Sequence, residues 1–142
     1  MFEFLEAVVQ DYMTADIKTV GRSMTLADLE QRFEADDYNT YPVVEGDDVI
    51  GVVSKFDFLK CFAFTTYSLV PHYDDLMKQT VGDVMTAEYI YVGPATKLTR
   101  VLQLMVEHRL RSMPVLGPKG GLVGMISRVD VVHALGVATR NL

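Results

Sequence analysis

Apolar residues recur along this chain in two rhythms, one of helical period and one alternating, and the same succession of rhythms occurs twice. Phe2 to Gln10 predicts a short helix with Phe2, Leu5, Val8 and Val9 on one face. Ile17-Lys18-Thr19-Val20 predicts a short strand. Ser23 or Thr25 suits the cap of a helix running to about Asp37, with Leu26, Leu29 and Phe33 as its apolar positions. Tyr41-Pro42-Val43-Val44 predicts a strand with proline near its start, where a missing amide donor is tolerated. Glu45-Gly46-Asp47-Asp48 is a turn, Val49 to Ser54 the returning strand, and Lys55 to Phe64 a second helix.

The second half repeats the order. It predicts a strand at Tyr89 to Val92, a helix at Leu98 to His108, strands at Met113 to Leu116 and Leu122 to Ile126, and a helix from Arg128 to about Val137. The repeat is also literal. Asp11-Tyr12-Met13-Thr14 returns as Asp83-Val84-Met85-Thr86 and Pro42-Val43-Val44 as Pro114-Val115-Leu116, both at an offset of 72. Gly51-Val52-Val53-Ser54-Lys55-Phe56-Asp57 returns as Gly124-Met125-Ile126-Ser127-Arg128-Val129-Asp130 at an offset of 73, so the intervening turn holds one extra residue. Two copies of a unit of roughly 60 residues account for the chain, and a duplicated unit usually buries its open face against its copy. Residues 1–64 are then an N-terminal helix plus the first repeat, 65–79 a connector and 80–142 the second repeat. Pro71 breaks any helix in the connector, while Asp74 to Lys78 suits a short one.

The two copies are not equivalent. Leu98, Val101, Leu102, Met105 and Val106 make a full stripe on the second copy's long helix. The first copy has Glu30 and Glu34 where the second has Leu102 and Val106. Asymmetric packing inside one domain and a self-association surface both follow from this difference. Phe56, Phe58, Leu59, Phe62 and Phe64 surround the first copy's last helix, more aromatics than one stripe against one sheet needs, so a second burial partner is expected.

Composition narrows the function classes. The net charge of −6 argues against a nucleic-acid binder, which needs a basic surface. Residues 1–71 carry 13 acids and 5 bases, and residues 72–142 carry 6 acids and 8 bases, so the second copy is the better host for an anion. No apolar run approaches the ~20 residues that span a bilayer, so no membrane insertion is expected. The opening Met1-Phe2-Glu3-Phe4-Leu5-Glu6 lacks the basic region of a secretory signal. One cysteine, Cys61, forms no internal disulfide, which fits a reducing cytoplasm.

Several constellations fail on inspection. Gly117-Pro118-Lys119-Gly120-Gly121 lacks the Gly-Lys-Ser/Thr that opens a helix in a phosphate loop, and reads as a hairpin turn. His72, His108 and His133 have no metal-ligand spacing, and no metal site is expected. No nucleophile–base pair suggests catalysis.

The Asp-x-Met-Thr opening, the Pro-Val strand and the Gly-x-x-Ser-x-x-Asp junction, each present twice from about Val9 to Val137, resemble a tandem pair of CBS domains, the modules named after cystathionine beta-synthase. The resemblance implies an α+β fold of two β-α-β-β-α repeats packed with pseudo-two-fold symmetry. It implies a non-catalytic regulator whose cleft between repeats takes an adenosine-containing ligand: AMP, ADP or ATP, or in some members S-adenosylmethionine or NAD. It implies a homodimer and a regulated partner of unknown identity. By the family pattern Asp57 and Asp130 hold a ribose, and Ser54 and Ser127 lie near phosphate.

The chemistry of these residues is consistent with that. A carboxylate at a helix start accepts hydrogen bonds from both hydroxyls of a ribose, while a serine hydroxyl and free helix amides take a phosphate oxygen. Lys55 and Arg128 follow the serines as candidate counter-charges. Ser and Asp also favour these positions simply as helix caps. Arg111 matches a basic position of the family before the second strand's proline, where the first copy has Asn39. His108 and Arg109 upstream suit either an anion or a helix end, which favours cations. Thr19 and Tyr91 hold the positions against which the family packs adenine.

Overall fold

The computed structural model describes residues 2–63 and 73–140. In chain order it contains α1 (Phe2–Glu6), a 3-10 turn (Val9–Asp11), β1 (Val20–Gly21), α2 (Leu26–Ala35), β2 (Thr40–Glu45), β3 (Asp48–Ser54) and α3 (Lys55–Lys60). After these come α4 (Tyr73–Met77), α5 (Val81–Val84), α6 (Leu98–His108), β4 (Ser112–Leu116), β5 (Leu122–Ser127) and α7 (Arg128–Arg140). Phe64, Pro71 and His72, each given a place in the sequence reading, lie outside the described residues.

The chain folds as two compact units. A central unit holds residues 18–89, and a terminal unit holds residues 1–17 together with 90–142. Their boundaries differ from the contiguous segments 1–64 and 80–142 marked by the repeat. Each Asp-x-Met-Thr opening folds with the other copy's strands. In the terminal unit Thr14 and Met125 exchange backbone hydrogen bonds of 2.9 Å in both directions. In the central unit Thr86 and Val52 do the same at 2.8 and 3.0 Å.

This crossing explains the glycine of the Gly-x-x-Ser motif. A Cβ on Gly124 would stand 2.7 Å from the Thr14 carbonyl oxygen and 2.9 Å from Met13 Sδ. One on Gly51 would stand 2.8 Å from the Thr86 oxygen and 3.0 Å from Met85 Sδ. Only a residue without a side chain lets the opening segment lie this close.

Each unit has its own core. In the central unit β1 runs parallel to β2, pairing Val20 with Val43, and β2 runs antiparallel to β3. Val20, Leu26, Leu29, Tyr41, Val43, Val53 and Val81 are buried between this sheet and its helices. In the terminal unit β4 and β5 are antiparallel, and Val92 bridges Val115 in parallel beside them. Leu98, Val101 and Met105 of α6 and Val131 and Ala134 of α7 close over Met113, Val115 and Ile126.

The elements depart from the sequence reading at their ends. The expected strand Ile17 to Val20 is ordered as a strand only at Val20–Gly21, and Tyr89 to Val92 is reduced to the single Val92 bridge. The expected helix Phe2 to Gln10 stops at Glu6, because Val8 is extended (φ −121°, ψ 160°) and bridges Lys97. The Val9 amide donates to the Thr96 carbonyl at 2.9 Å, and Leu98 donates to the Ala7 carbonyl at 3.0 Å. That pairing turns Phe4, Ala7 and Val9 inward and leaves Phe2 and Leu5 exposed, contrary to the face read from helical spacing.

Candidate functional site

Each unit carries one strand-to-helix junction built by the same local rule. In the central unit Ser54 ends β3 and caps α3. Its Oγ accepts from the Asp57 amide at 3.0 Å, and Asp57 Oδ2 accepts from the Ser54 amide at 2.9 Å. In the terminal unit the Asp130 amide donates to Ser127 Oγ at 3.3 Å, and the Ser127 amide donates to Asp130 Oδ2 at 2.8 Å. Both junctions are therefore capping boxes, which satisfy the free amides of the first helical turn. Capping occupies one oxygen of each aspartate, so what surrounds the second oxygen decides what each junction can still bind.

At Asp57 that oxygen is engaged. Thr86 Oγ1 lies 3.4 Å from both carboxylate oxygens, and Lys60 Nζ stands 3.4 Å from Oδ1. The residue is 6% exposed, and it is the one buried charged residue among those described. At Asp130 the Ser127 hydroxyl adds a second hydrogen bond to Oδ2, at 3.0 Å, while Oδ1 has no hydrogen-bond partner among the described residues. Asp130 is half-buried. Thr14, the counterpart of Thr86, pairs with Met125 through its backbone and makes no side-chain bond to Asp130. Thr86 and Lys60 were not singled out from the sequence. The recurrence of threonine in both openings was the available signal for Thr86.

The basic residues divide similarly. Ser112 pairs across the strands with Ser127, and the Arg111 carbonyl accepts from the Arg128 amide at 3.0 Å, so Arg111 sits directly beside the junction. Its guanidinium is exposed and makes no hydrogen bond or ion pair among the described residues. In the central unit Thr40 pairs with Ser54, the Lys55 amide donates to the Asn39 carbonyl at 2.9 Å, and Asn39 brings no charge.

Lys55 and Arg128, expected as counter-charges, are both engaged with the helices. Lys55 Nζ lies over the Phe33 ring, 5.9 Å from its centroid, and Arg128 Nε donates to the Leu110 carbonyl at 2.8 Å. Each also lines a groove between the two helices of its unit.

The two positions expected against adenine, Thr19 and Tyr91, flank the central strand of each sheet on the side away from the serine. Thr19 precedes Val20, and its carbonyl accepts from Arg32 Nη2 at 3.0 Å. Tyr91 precedes Val92 and is 58% exposed. The expected set thus separates cleanly. Thr19, Ser54, Lys55 and Asp57 belong to the central unit, and Tyr91, Arg111, Ser127, Arg128 and Asp130 belong to the terminal one.

One acidic residue away from the junctions, Asp36, holds structure together. Asp36 accepts from Lys18 Nζ at 2.6 Å and from the buried Tyr41 hydroxyl at 2.7 Å. The Lys18 bond, followed by that from Tyr41, holds its carboxyl below the usual range. Burial, then the neighbouring Asp36, pushes the Tyr41 phenol well above its ordinary value. Burial likewise raises the Cys61 thiol, which makes it a poor nucleophile at neutral pH. Among the described residues no cluster of His, Cys, Asp and Glu could hold a metal ion.

The model of the CBS domain matches residues 9–63 and again 81–137. The chain belongs to the CBS domain family. Among solved structures, CBSX2 of Arabidopsis thaliana, a CBS-pair protein, superposes with a TM-score of 0.82 at 28% identity, covering 95% of this chain and 98% of that one. CBSX2 in complex with AMP gives a TM-score of 0.80 at 27% identity, covering 94% and 98%. The tandem α+β CBS pair is therefore the fold of this chain.

Among curated relatives, the CBS domain-containing protein CBSX1 of Arabidopsis thaliana, named as chloroplastic, is 27% identical over 148 aligned positions. They cover 89% of this chain and 63% of that protein. CBSX3 of the same plant, named as mitochondrial, is 49% identical over 57 positions, 39% of this chain and 27% of that protein. Protein MJ0188 of Methanocaldococcus jannaschii is 28% identical over 128 positions, 89% of this chain and 43% of that protein. This CBS pair thus spans less than two thirds of the length of each of these three curated relatives. The plant relatives are named for organelles, so the cysteine count alone does not assign this chain to the cytoplasm. Among the described residues no helix is long and apolar enough to cross a membrane.

Proposed function

We propose that this CBS pair is a non-catalytic regulatory module that binds an adenosine-containing ligand, AMP, ADP or ATP foremost, at the junction of the terminal unit. The observation that carries this reading is the pairing of an unengaged acceptor with an unengaged cation. Asp130 Oδ1 has no hydrogen-bond partner among the described residues, and Arg111 stands beside the same junction without an ion pair. A ribose diol donates to the first, and a phosphate accepts from the second, as charge-assisted hydrogen bonds. Ser127 and the start of α7 lie between them in sequence and register. Tyr91 offers a ring to the base. The CBSX2 structure with AMP, 27% identical over almost the whole chain, supports the ligand class.

Binding would act on a partner by population shift, favouring one conformation by the difference in the ligand's affinity for the two. Thermal melting with AMP, ATP and S-adenosylmethionine tests this. A ligand at 100 times its dissociation constant stabilises by about 2.7 kcal/mol. Asp130→Ala should remove that shift while the protein still melts cooperatively. Wild type that melts unchanged with all three contradicts the reading.

A second reading, a constitutive dimerisation scaffold, is favoured by the exposed apolar helix faces. Phe56 and Leu59 on α3 are 69% and 60% exposed, and Val106 on α6 and Val132 on α7 are 71% and 68% exposed.

A further inference from the structure

Arg128 holds the backbone on both sides of Arg111. Its amide donates to the Arg111 carbonyl at 3.0 Å, and its Nε donates to the Leu110 carbonyl at 2.8 Å. Those two carbonyls belong to the two peptide planes that meet at the Arg111 Cα, and rotation of such planes is the soft backbone freedom of a residue. The bond from Nε carries the guanidinium's charge, which strengthens it over a neutral one. Leu110 is anchored further: its side chain packs against the core of the terminal unit, and its amide donates to the Met105 carbonyl at 3.1 Å. The passage from α6 into β4 is thereby fixed, and with it the direction in which the Arg111 side chain leaves the backbone.

The central unit keeps half of this clamp. The Lys55 amide donates to the Asn39 carbonyl at 2.9 Å, but Lys55 Nζ lies over the Phe33 ring. Lysine has a methylene where arginine has Nε, so it offers no donor at that point of the side chain. The two-point clamp thus occurs in the copy whose clamped residue is a cation, and the one-point form in the copy whose clamped residue is Asn39. We infer that Arg128 is a positioning residue for a ligand phosphate: it orients Arg111 towards the anion and does not meet the anion itself. The inference rests on the nucleotide reading above and deepens it, replacing the counter-charge role expected of Arg128 from the sequence. The Arg128 side chain lines the groove between α6 and α7 together with Arg109, which turns it towards the helices. A cation whose backbone is set before binding loses less freedom when the ligand arrives, and that saving appears as affinity. It accrues only to a ligand that bears a phosphate, so the clamp selects a nucleoside phosphate over the free nucleoside.

Two substitutions separate the clamp from a counter-charge. Arg128→Lys keeps the charge and loses the donor at Nε, whereas Arg128→Gln loses the charge and keeps an N–H donor at that point. Titrations of AMP and of adenosine into both variants, with circular dichroism melts to establish that each is folded, make the test. Arg128→Lys should weaken AMP about fivefold and adenosine by less than about twofold, while Arg128→Gln should bind AMP within about twofold of wild type. In an Arg111→Ala background Arg128→Lys should cost AMP less than about a further twofold, because a positioning residue has no effect once the residue it positions is gone. The reverse order, with Arg128→Lys binding as wild type and Arg128→Gln weakened, overturns the clamp in favour of a counter-charge. Additive losses in the double variant overturn it as well, as do equal losses for AMP and adenosine or two variants that both match wild type. A wild type that binds neither AMP nor adenosine overturns the nucleotide reading and this proposal together.

Discussion

The junctions of the two units are the same device with different amounts of capacity left over. Both cap a helix with a serine and an aspartate three residues later, and both use one carboxylate oxygen to do so. In the central unit Thr86 and Lys60 take up the remainder of Asp57. In the terminal unit Asp130 keeps one oxygen unengaged and Arg111 adds a cation at the place held by Asn39 in the other copy. A shared motif therefore specifies a shared cap, and what surrounds that cap decides how much of each aspartate is left unengaged.

The largest effects that probe this comparison come from the glycines, where the units agree. Gly124→Ala should cost about 1–3 kcal/mol in urea denaturation, towards the upper end because its Cβ would meet the Thr14 oxygen at 2.7 Å. Gly51→Ala should cost somewhat less, its nearest approach being 2.8 Å. Unchanged stability in both would mean that the opening segments do not cross the strands as described.

A smaller effect separates the units. Tyr41→Phe leaves Asp36 Oδ2 and the Arg32 carbonyl without their shared donor and should cost about 1 kcal/mol. At the aligned position of the terminal unit stands Met113, buried without any such network, so Met113→Leu should cost little beyond repacking, within about 1.5 kcal/mol. Equal and negligible losses from both substitutions would remove this difference between the units.

Acid gives the mildest test. The carboxyls of Asp36 and Asp83 are both lowered from 3.8, Asp36 first by Lys18 and Asp83 first by the Thr80 amide, and both lie in the central unit. A carboxyl whose folded pKa lies below its unfolded value contributes stability above the unfolded pKa. That contribution disappears as the pH falls through the folded one. Amide exchange in the central unit should therefore quicken as the pH drops below about 4, after correction for intrinsic rates, and Asp36→Asn should blunt the change. Corrected exchange that stays flat down to pH 3 would contradict the assignment.

Much of this architecture was legible because periodicity reports faces. Leu98 to His108 reads as a helix of those bounds, and the paired Pro-Val strands with their glycine turns read as hairpins. Periodicity does not report partners. Nothing in residues 11–14 states that they pair with Met125 of the later copy, since an isolated extended segment pairs equally well with any strand edge. Phe2 and Leu5 misled for a related reason: five residues of helix have an apolar face only relative to what they dock on, and the Val8 bridge to Lys97 turned that face outward. The stripe on α6 was legible as wider than the one on α2, and Val106 at its edge is exposed. At the junctions the motif residues were readable, but the directions of Lys55 and Arg128 were not. Long flexible side chains settle by local contacts with Phe33 and the Leu110 carbonyl, which sequence spacing does not encode.

Isothermal titration of AMP into wild type, Asp130→Ala and Asp57→Ala tests the difference between the junctions directly. Loss of the charge-assisted hydrogen bonds of a ribose diol should weaken binding by about 100-fold in Asp130→Ala, while Asp57→Ala should stay within about threefold of wild type. Binding that survives Asp130→Ala and vanishes in Asp57→Ala would show that the crowded junction, not the open one, holds the ligand.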